Sequence, residues 1–354
     1  FQINQSNFIK DIHMPRRRKN LVMEKYKVYL GSIAERSYQE SIDFCKGYAG
    51  ELDVTNPNHY MVDQALEIIK TGVGNPFACM EQIGVLYKGQ SSVDLVVHGD
   101  VQAFKQNAYV AAKLWMLGRE SARWGYFQFG SMCFLSLCSD NPDLKEFLIT
   151  QQDIILGPLE QVIYKHDDIR FYLERLILLA LAGDWERLRE GCLRFLNDEK
   201  HSKAIEADFR FFLAMSNQDA EEMKQILNEI LEYWISTKVT IDLDIHFDFY
   251  LYLPVLTYAK IAMIHGYDLG IDSPIAPKEL IEVRPLASYE DPYDFMKEFD
   301  FHQPQQIWID RWKAKMEAGL AWRAREQKKL KNRILRFLGR GGIDLQPRSP
   351  IDEG

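Results

Sequence analysis

A pair of helix signals occurs twice in the middle of the chain. In residues 169–196, and again in residues 205–234, apolar side chains recur at the spacing of one helix face, with a polar break inside each pair. The breaks fall at Asp184 and Asp219, 35 residues apart, which is close to the period of tetratricopeptide hairpins. The sequence therefore predicts an all-α fold in which tetratricopeptide-like helical hairpins form a superhelical array.

The second helix of the first pair shows the pattern most clearly. Its apolar face consists of Trp185, Leu188, Cys192 and Phe195. Asp184 stands just before this face, where its carboxylate can accept hydrogen bonds from the unpaired amides of the first turn. We therefore expect Asp184 to be the N-cap of this helix.

Other regions carry shorter secondary-structure signals. Residues 33–70 indicate two helices separated by a Pro-containing break at 55–58, and residues 244–265 indicate a long helix that ends at Gly266. Residues 92–98 form the one stretch rich in strand-favouring residues. We expect more than half of the residues to be helical and no sheet of three or more strands.

Charge is distributed unevenly along the chain. The net charge is +5 over residues 1–30, +9 over residues 311–340 and −20 over residues 31–310. These shifts predict a single helical domain over 1–310, with a subdivision near residue 150 as an alternative, a basic C-terminal helix over 311–340 and a disordered tail over 341–354. An acidic body favours a cationic protein partner, because its field speeds the approach of such a partner.

Composition indicates a soluble chain with a sizeable core. Hydrophobic residues make up 47% of the sequence, and no stretch approaches the roughly 20 apolar residues that a membrane-spanning helix needs. The first ten residues do not read as a secretory signal. The five cysteines include no Cys-x-x-Cys pair, so we expect buried, reduced thiols and a cytoplasmic location.

Four polar residues near position 245 form the best candidate for a metal site. Asp242, Asp244, His246 and Asp248 could bind a metal if the segment were extended, but in a helix only Asp244 and Asp248 share a face. Helix capping explains these acids more simply. Because the sequence also shows no nucleophile motif and no phosphate-binding loop, it predicts no catalytic residue, metal site or cofactor. A metal-dependent helical hydrolase is the alternative.

An acidic and aromatic segment near the C-terminal end is the candidate partner-binding site. Residues 285–301 contain five acids and one lysine, interleaved with aromatic residues, as in many recognition surfaces. The predicted partner-binding residues are Tyr289, Glu290, Asp291, Tyr293, Asp294, Glu298 and Asp300. The alternative is structural, with Tyr293, Phe295 and Phe299 covering the end of the superhelix.

The basic residues after position 310 could contact nucleic acid or an anionic membrane surface. The acidic body is a nearer source of opposite charge, so we favour docking of this helix on the body. A body with a net charge of −20 also argues against general nucleic-acid binding. We therefore predict a protein partner, and neither nucleic acid nor membrane.

Several packing and turn motifs resemble bacterial polymorphic-toxin immunity proteins, specifically immunity family forty-nine. The resemblance covers roughly residues 90–300. It rests on residues 181–185 (LAGDW), 246–251 (HFDFYL), Pro254, Gly266, the turn at 272–274 and residues 289–296 (YEDPYDFM).

This resemblance implies an all-helical protein that binds and blocks a toxin in the cell that makes both. It transfers no catalytic residue. The acidic body would suit a toxin with a cationic cleft, such as a nuclease, by analogy. The alternative is a tetratricopeptide-like scaffold or regulator that binds a peptide or protein in a concave groove.

Overall fold

The computed structural model describes residues 21–124, 126–155, 169–198, 201–237 and 244–329. Helices account for well over half of these residues, so the predicted all-α class is confirmed. The strands are β1 (Leu21–Glu24) and β2 (Lys27–Leu30), an antiparallel hairpin that forms the one sheet of the described residues. The helices of the first half are α1 (Gly31–Gly50), α2 (Tyr60–Thr71), α3 (Pro76–Val96), α4 (Val101–Leu117), α5 (Tyr126–Cys138), α6 (Pro142–Thr150) and α7 (Gln152–Ile155).

The second half continues with helices of very different lengths. They are α8 (Ile169–Ala182), α9 (Trp185–Leu196), α10 (Glu206–Ser216), α11 (Ala220–Thr237), α12 (Leu253–Ile264), α13 (Lys278–Ile281), α14 (Asp294–Lys297) and α15 (Gln305–Lys328). One main hydrophobic core runs from Tyr26 in the hairpin to Trp312 in α15. All five cysteines are buried and free, as the sequence predicted.

The two predicted hairpins are present as α8–α9 and α10–α11. Asp184 accepts a hydrogen bond from the amide of Arg187 at 3.3 Å, and Asp219 accepts one from the amide of Glu222 at 3.0 Å. Both aspartates thus cap the second helix of their pair, because the first-turn amides have no partner within the helix. The superhelical arrangement of such hairpins stays a prediction.

Two local predictions were wrong. Residues 92–96 are not a strand but the last turns of α3, where Ser92, Val93 and Leu95 are buried against neighbouring helices. This burial overrides the modest strand preference of the β-branched residues. The helix predicted from residue 244 begins instead at Leu253, because Pro254 fits its first turn, and residues 245–250 form turns.

Helices α1, α3 and α4 pack side by side. The contact between α1 and α3 depends on Gly89, where a Cβ atom would lie 2.7 Å from Cβ of Tyr48 and 3.2 Å from the carbonyl oxygen of Cys45. A close approach of two helices at a small residue fixes their relative position. In this way Gly89 determines where the outer face of α1 lies.

A buried ion cluster joins four parts of the chain. Asp140 lies between α5 and α6 in the left-handed backbone region (φ 60°), and its carboxylate contacts Lys105 of α4 at 2.7 Å and also Lys260 of α12. The two ammonium groups donate further hydrogen bonds to backbone carbonyls, Lys105 to Arg284 and Lys260 to Leu280 and Glu282. All three ionic side chains are at most 2% exposed.

Helix α15 belongs to the folded body in its first half. It begins at Gln305, before the predicted boundary at residue 311, and Trp308 and Trp312 are buried against the core. Gly319 meets the end of α2, since a Cβ atom there would lie 2.9 Å from the amide nitrogen of Val73 and closer still to the carbonyl of Gly72. Helix α15 ends at Lys328, short of the predicted end at residue 340, because the backbone of Lys329 is extended. The rest of the predicted helix and the predicted disordered tail lie at residues 330–354, outside the described residues.

Asp208 provides a test of how burial affects stability. Its carboxylate accepts a hydrogen bond from Tyr258 at 2.7 Å, and burial raises its pKa to about 6 although that hydrogen bond lowers it. Between pH 4 and 6 the folded chain therefore keeps a proton that the unfolded chain has released, so this group makes the protein less stable as pH rises.

We expect Asp208→Asn to raise the free energy of unfolding by about 2 kcal/mol at pH 7.5 and to change it little below pH 4. Urea denaturation at both pH values measures this difference. Glu232→Gln, at an exposed carboxyl of α11, is the control and should leave both values unchanged. If Asp208→Asn changed the free energy of unfolding equally at both pH values, protonation of the Asp208 carboxyl would not be the cause of the change.

Candidate functional site

The segment predicted to bind a partner lies in a long loop between α13 and α15. Residues 282–304, here called the acidic loop, contain only the four-residue helix α14. Irregular segments longer than about 12–15 residues are uncommon inside compact domains and are usually either functional or disordered. The loop is nevertheless held in place by side chains that point inwards.

Tyr289 and Asp291 are two of these inward-pointing side chains. The hydroxyl of Tyr289 donates a hydrogen bond to the carbonyl oxygen of Ser139 at 2.6 Å. The carboxylate of Asp291 accepts hydrogen bonds from Tyr109 at 2.9 Å and from Lys113 at 2.7 Å. Lys113 and Asp291 are largely buried in this ion pair. The polar groups of Tyr289 and Asp291, two predicted contact residues, are therefore bonded to other parts of the protein.

The aromatic residues of the loop also pack internally. Tyr293 stacks on Phe295 with ring centroids 5.6 Å apart, and its hydroxyl lies 3.4 Å from that of Tyr87 in α3. Phe299 packs edge-on against Trp308 of α15. These contacts are those of the structural alternative, in which the aromatic residues cover the helices beneath. Partner binding by Tyr289 and Tyr293 stays a prediction.

Four of the predicted acids point to solvent, namely Glu290, Asp294, Glu298 and Asp300. Two of them are paired at the surface. Lys297 lies 2.8 Å from Asp294 and its hydrogen bond lowers the pKa of that carboxyl, while Arg311 pairs with Glu298. Glu290 and Asp300 form no ion pair within the described residues. The loop thus presents carboxylates outwards and keeps its aromatic residues inwards.

The residues considered for metal binding form a buried hydrogen-bonded turn. Asp244 lies 2.9 Å from Lys88 through one carboxylate oxygen and 2.9 Å from Nδ1 of His246 through the other. Asp248 accepts a hydrogen bond from the amide of Asp244 at 2.6 Å. Burial would raise the pKa of Asp244, but Lys88 and His246 lower it well below its usual range. Asp242 lies outside the described residues.

The carboxylates of Asp244 and Asp248 are thus bonded to groups of the protein itself. Among the described residues no three His, Cys, Asp or Glu side chains are grouped as a metal site requires. The backbone carbonyl of His246 accepts a hydrogen bond from Ser92 of α3 at 2.6 Å, which fixes the turn from the other side. The imidazole nitrogen Nε2 of His246, in contrast, is buried and has no hydrogen-bond partner among the described residues.

A small apolar surface surrounds His246, and sequence reasoning missed it. The rings of Phe44 and Tyr48 in α1 lie 5.6 Å and 5.5 Å from the imidazole, measured between centroids. Phe44 is 37% exposed and Ile245, the neighbour of His246, is 64% exposed. The available signal was the spacing of Phe44 and Tyr48, which puts them on one helix face. Which turn lies opposite that face could not be read from the sequence.

Comparison with known proteins adds no relative to this description. No family model matches the chain, and neither a curated protein nor a solved structure matches it. Within the described residues, no helix has the length and the apolar character that crossing a bilayer requires.

Proposed function

We propose that this chain is an immunity protein, which binds a basic toxin protein in the cytoplasm of the producing cell and blocks it without catalysing a reaction. The observation that carries the proposal is the acidic loop, an irregular segment that is anchored from within and directs four carboxylates to solvent. A loop fixed before binding loses little entropy on binding, which favours affinity for a partner.

Charge and family resemblance support the same function. Residues 31–310 carry a net charge of −20, and such a field attracts a cationic protein and raises its association rate. The resemblance to immunity family forty-nine includes residues 289–296 of the loop. Neither nucleic acid nor a membrane would be attracted to a surface of this sign.

Binding without catalysis is consistent with how the ionisable groups are used. Asp244 and His246, the best candidates for metal chemistry, hold a turn, and Asp140 forms ion pairs with two buried lysines. A group engaged in such a network is expensive to detach. We therefore assign these groups to stability and the exposed carboxylates of the loop to partner recognition.

The test is protection from the product of the adjacent gene, which the proposed function predicts to be the toxin. Co-expression of the chain should restore growth of cells that produce the toxin domain, and the two purified proteins should form a stoichiometric complex. If the chain forms no complex and gives no protection, the proposed function is wrong.

The loop carboxylates should act mainly on the rate of association. We expect the charge reversals Glu290→Lys and Asp300→Lys together to slow association about 10-fold at low salt and only about 2-fold at 0.5 M salt, because salt screens exposed charges. Stopped-flow mixing with the toxin domain measures the rates. The same reversals at Glu186 and Glu232, exposed acids of α9 and α11, are the control. Equal slowing by both pairs would mean that only net charge matters.

A further inference from the structure

We infer that Gln106 of α4 is a positioning residue for partner recognition, because it fixes the backbone of Glu290 and thereby the outward carboxylate of that residue. This inference rests on the proposed function, since it concerns how the acidic loop presents its charge to the same basic partner. It goes beyond that function by placing part of the recognition machinery outside the loop, on a helix of the body.

The contact between Gln106 and Glu290 consists of two hydrogen bonds. The side-chain nitrogen of Gln106 donates to the carbonyl oxygen of Glu290 at 2.8 Å, and its side-chain oxygen accepts from the amide nitrogen of Glu290 at 3.1 Å. Paired antiparallel strands exchange the same two bonds at a hydrogen-bonded residue pair. Two bonds to one residue restrict its orientation as well as its position, so the backbone of Glu290 is held against α4.

The residues on either side of Glu290 are held through their side chains. The hydroxyl of Tyr289 donates a hydrogen bond to the carbonyl oxygen of Ser139 at 2.6 Å, and Asp291 lies 2.7 Å from Lys113. Both neighbours thus point inwards, while the side chain of Glu290 is exposed. This is the alternation of an extended strand, and the three contacts together determine the direction in which the carboxylate projects.

The carboxylate of Glu290 has no ion pair or hydrogen bond among the described residues, because both bonds to Gln106 engage the backbone. The three other exposed acids of the acidic loop contact neighbouring groups, namely Lys297, Arg311 and the amide of His302. An acid that is already paired must give up its contact before it can bind a partner. The backbone that Gln106 holds therefore belongs to the most available carboxylate of the loop.

Gln106 contributes little to the core of the body. Its side chain is half-buried, whereas Phe104 and Ala108 of the same helix are fully buried and hold α4 in place. Removing the Gln106 amide group therefore deletes two hydrogen bonds near the surface and leaves the packing of α4 intact. The effect of these bonds is local, and it consists in the placement of Glu290.

The first experiment tests the contact without a partner. Gln106→Leu removes both hydrogen bonds at nearly constant size, so the backbone amide of Glu290 should exchange its hydrogen about 10-fold faster. Hydrogen–deuterium exchange followed by mass spectrometry measures the rate. Gln102→Leu, the same change at an exposed glutamine one turn earlier in α4, is the control and should leave this rate unchanged. An unchanged rate in Gln106→Leu would overturn the inference.

The second experiment measures binding to the product of the adjacent gene, in an inactivated form, by surface plasmon resonance. Gln106→Leu leaves every charge of the chain in place, so the association rate should stay within about twofold of the wild-type rate. A misplaced Glu290 carboxylate should instead raise the dissociation rate about 5-fold. The control Gln102→Leu should change neither rate.

A double-mutant cycle separates positioning from a general loosening of the loop. Glu290→Gln removes the charge and should itself raise the dissociation rate about 5-fold. If Gln106 acts through that carboxylate, adding Gln106→Leu to the Glu290→Gln variant should change the dissociation rate by less than about twofold. A full effect of Gln106→Leu in this background would mean that Gln106 only stabilises the loop, and the positioning role would be wrong.

The outcomes distinguish this inference from the immunity function. If the wild-type chain binds and protects but Gln106→Leu dissociates at the wild-type rate, the positioning role is wrong and the immunity function stands. If the wild-type chain neither binds nor protects, the immunity function fails and the positioning role fails with it. Faster exchange at Glu290 would in that case describe a local contact without a role in recognition.

Discussion

Replacing Asp140 with asparagine should lower the free energy of unfolding by about 3 kcal/mol, because it leaves Lys105 and Lys260 buried without an opposite charge. Asparagine tolerates the left-handed backbone conformation at this position and can still accept the hydrogen bond from the amide of Arg284. The variant therefore removes the charge and preserves the local shape. Urea denaturation at pH 7.5 measures the loss.

Two further variants separate charge from backbone effects. Asp140→Ala should cost about 1 kcal/mol more, because alanine disfavours the left-handed region. Asp143→Asn, at an exposed acid three residues away, makes the same chemical change without burial and should shift the value by no more than about 0.5 kcal/mol. Equal stability of the Asp140 and Asp143 variants would show that the two lysines are not confined to a dry interior.

Gly319→Ala should lower the free energy of unfolding by about 2 kcal/mol, although alanine ordinarily stabilises a helix by about 1 kcal/mol relative to glycine. The added methyl group would meet the backbone of Gly72 and Val73, which cannot move aside as a flexible side chain would. To make room, α15 must shift and loosen the packing of Trp308 and Trp312.

Whether Gly319→Ala stabilises or destabilises the protein shows whether helix propensity or the steric clash with Gly72 and Val73 is the larger effect. Gly47→Ala in α1 is the matched control, because a Cβ atom at Gly47 would have nothing within 4 Å. It should stabilise the protein by about 0.5–1 kcal/mol. Thermal and urea denaturation of both variants measure the difference. A stabilised Gly319→Ala protein would mean that α15 does not depend on close contact with the end of α2.

Local chemistry was predictable from the sequence, and distant pairing was not. The caps at Asp184 and Asp219 follow from a residue and its next three amides, so they could be located in advance. The inward position of Asp291 depends on Lys113, which lies 178 residues earlier in the chain. The sequence shows the charge of Asp291 but not the lysine opposite it, so an exposed contact residue was the natural prediction.

The same limit explains why sequence reasoning missed the apolar surface around His246 and the start of α12. In the sequence, Phe44 and Tyr48 look like ordinary apolar residues of an amphipathic helix. Their contact with His246 depends on a turn about 200 residues later in the chain. Pro254 was visible, but the acids before it suggested a capped helix from residue 244, whereas they bond to one another and to Lys88. A polar residue near a helix start can form hydrogen bonds with several different groups, and the tertiary structure determines which of these bonds it forms.

The alternation of inward and outward side chains along the acidic loop has a consequence for how this protein can evolve. Tyr289 and Asp291 hold the loop on the body, while Glu290 and Asp294 between and beside them contact only solvent or surface groups with their carboxylates. Substitutions at the outward positions alter the presented charge pattern and leave the attachment intact. Under the proposed immunity function, the outward positions can therefore change together with the partner, and each change alters the stability of the fold by no more than about 0.5 kcal/mol.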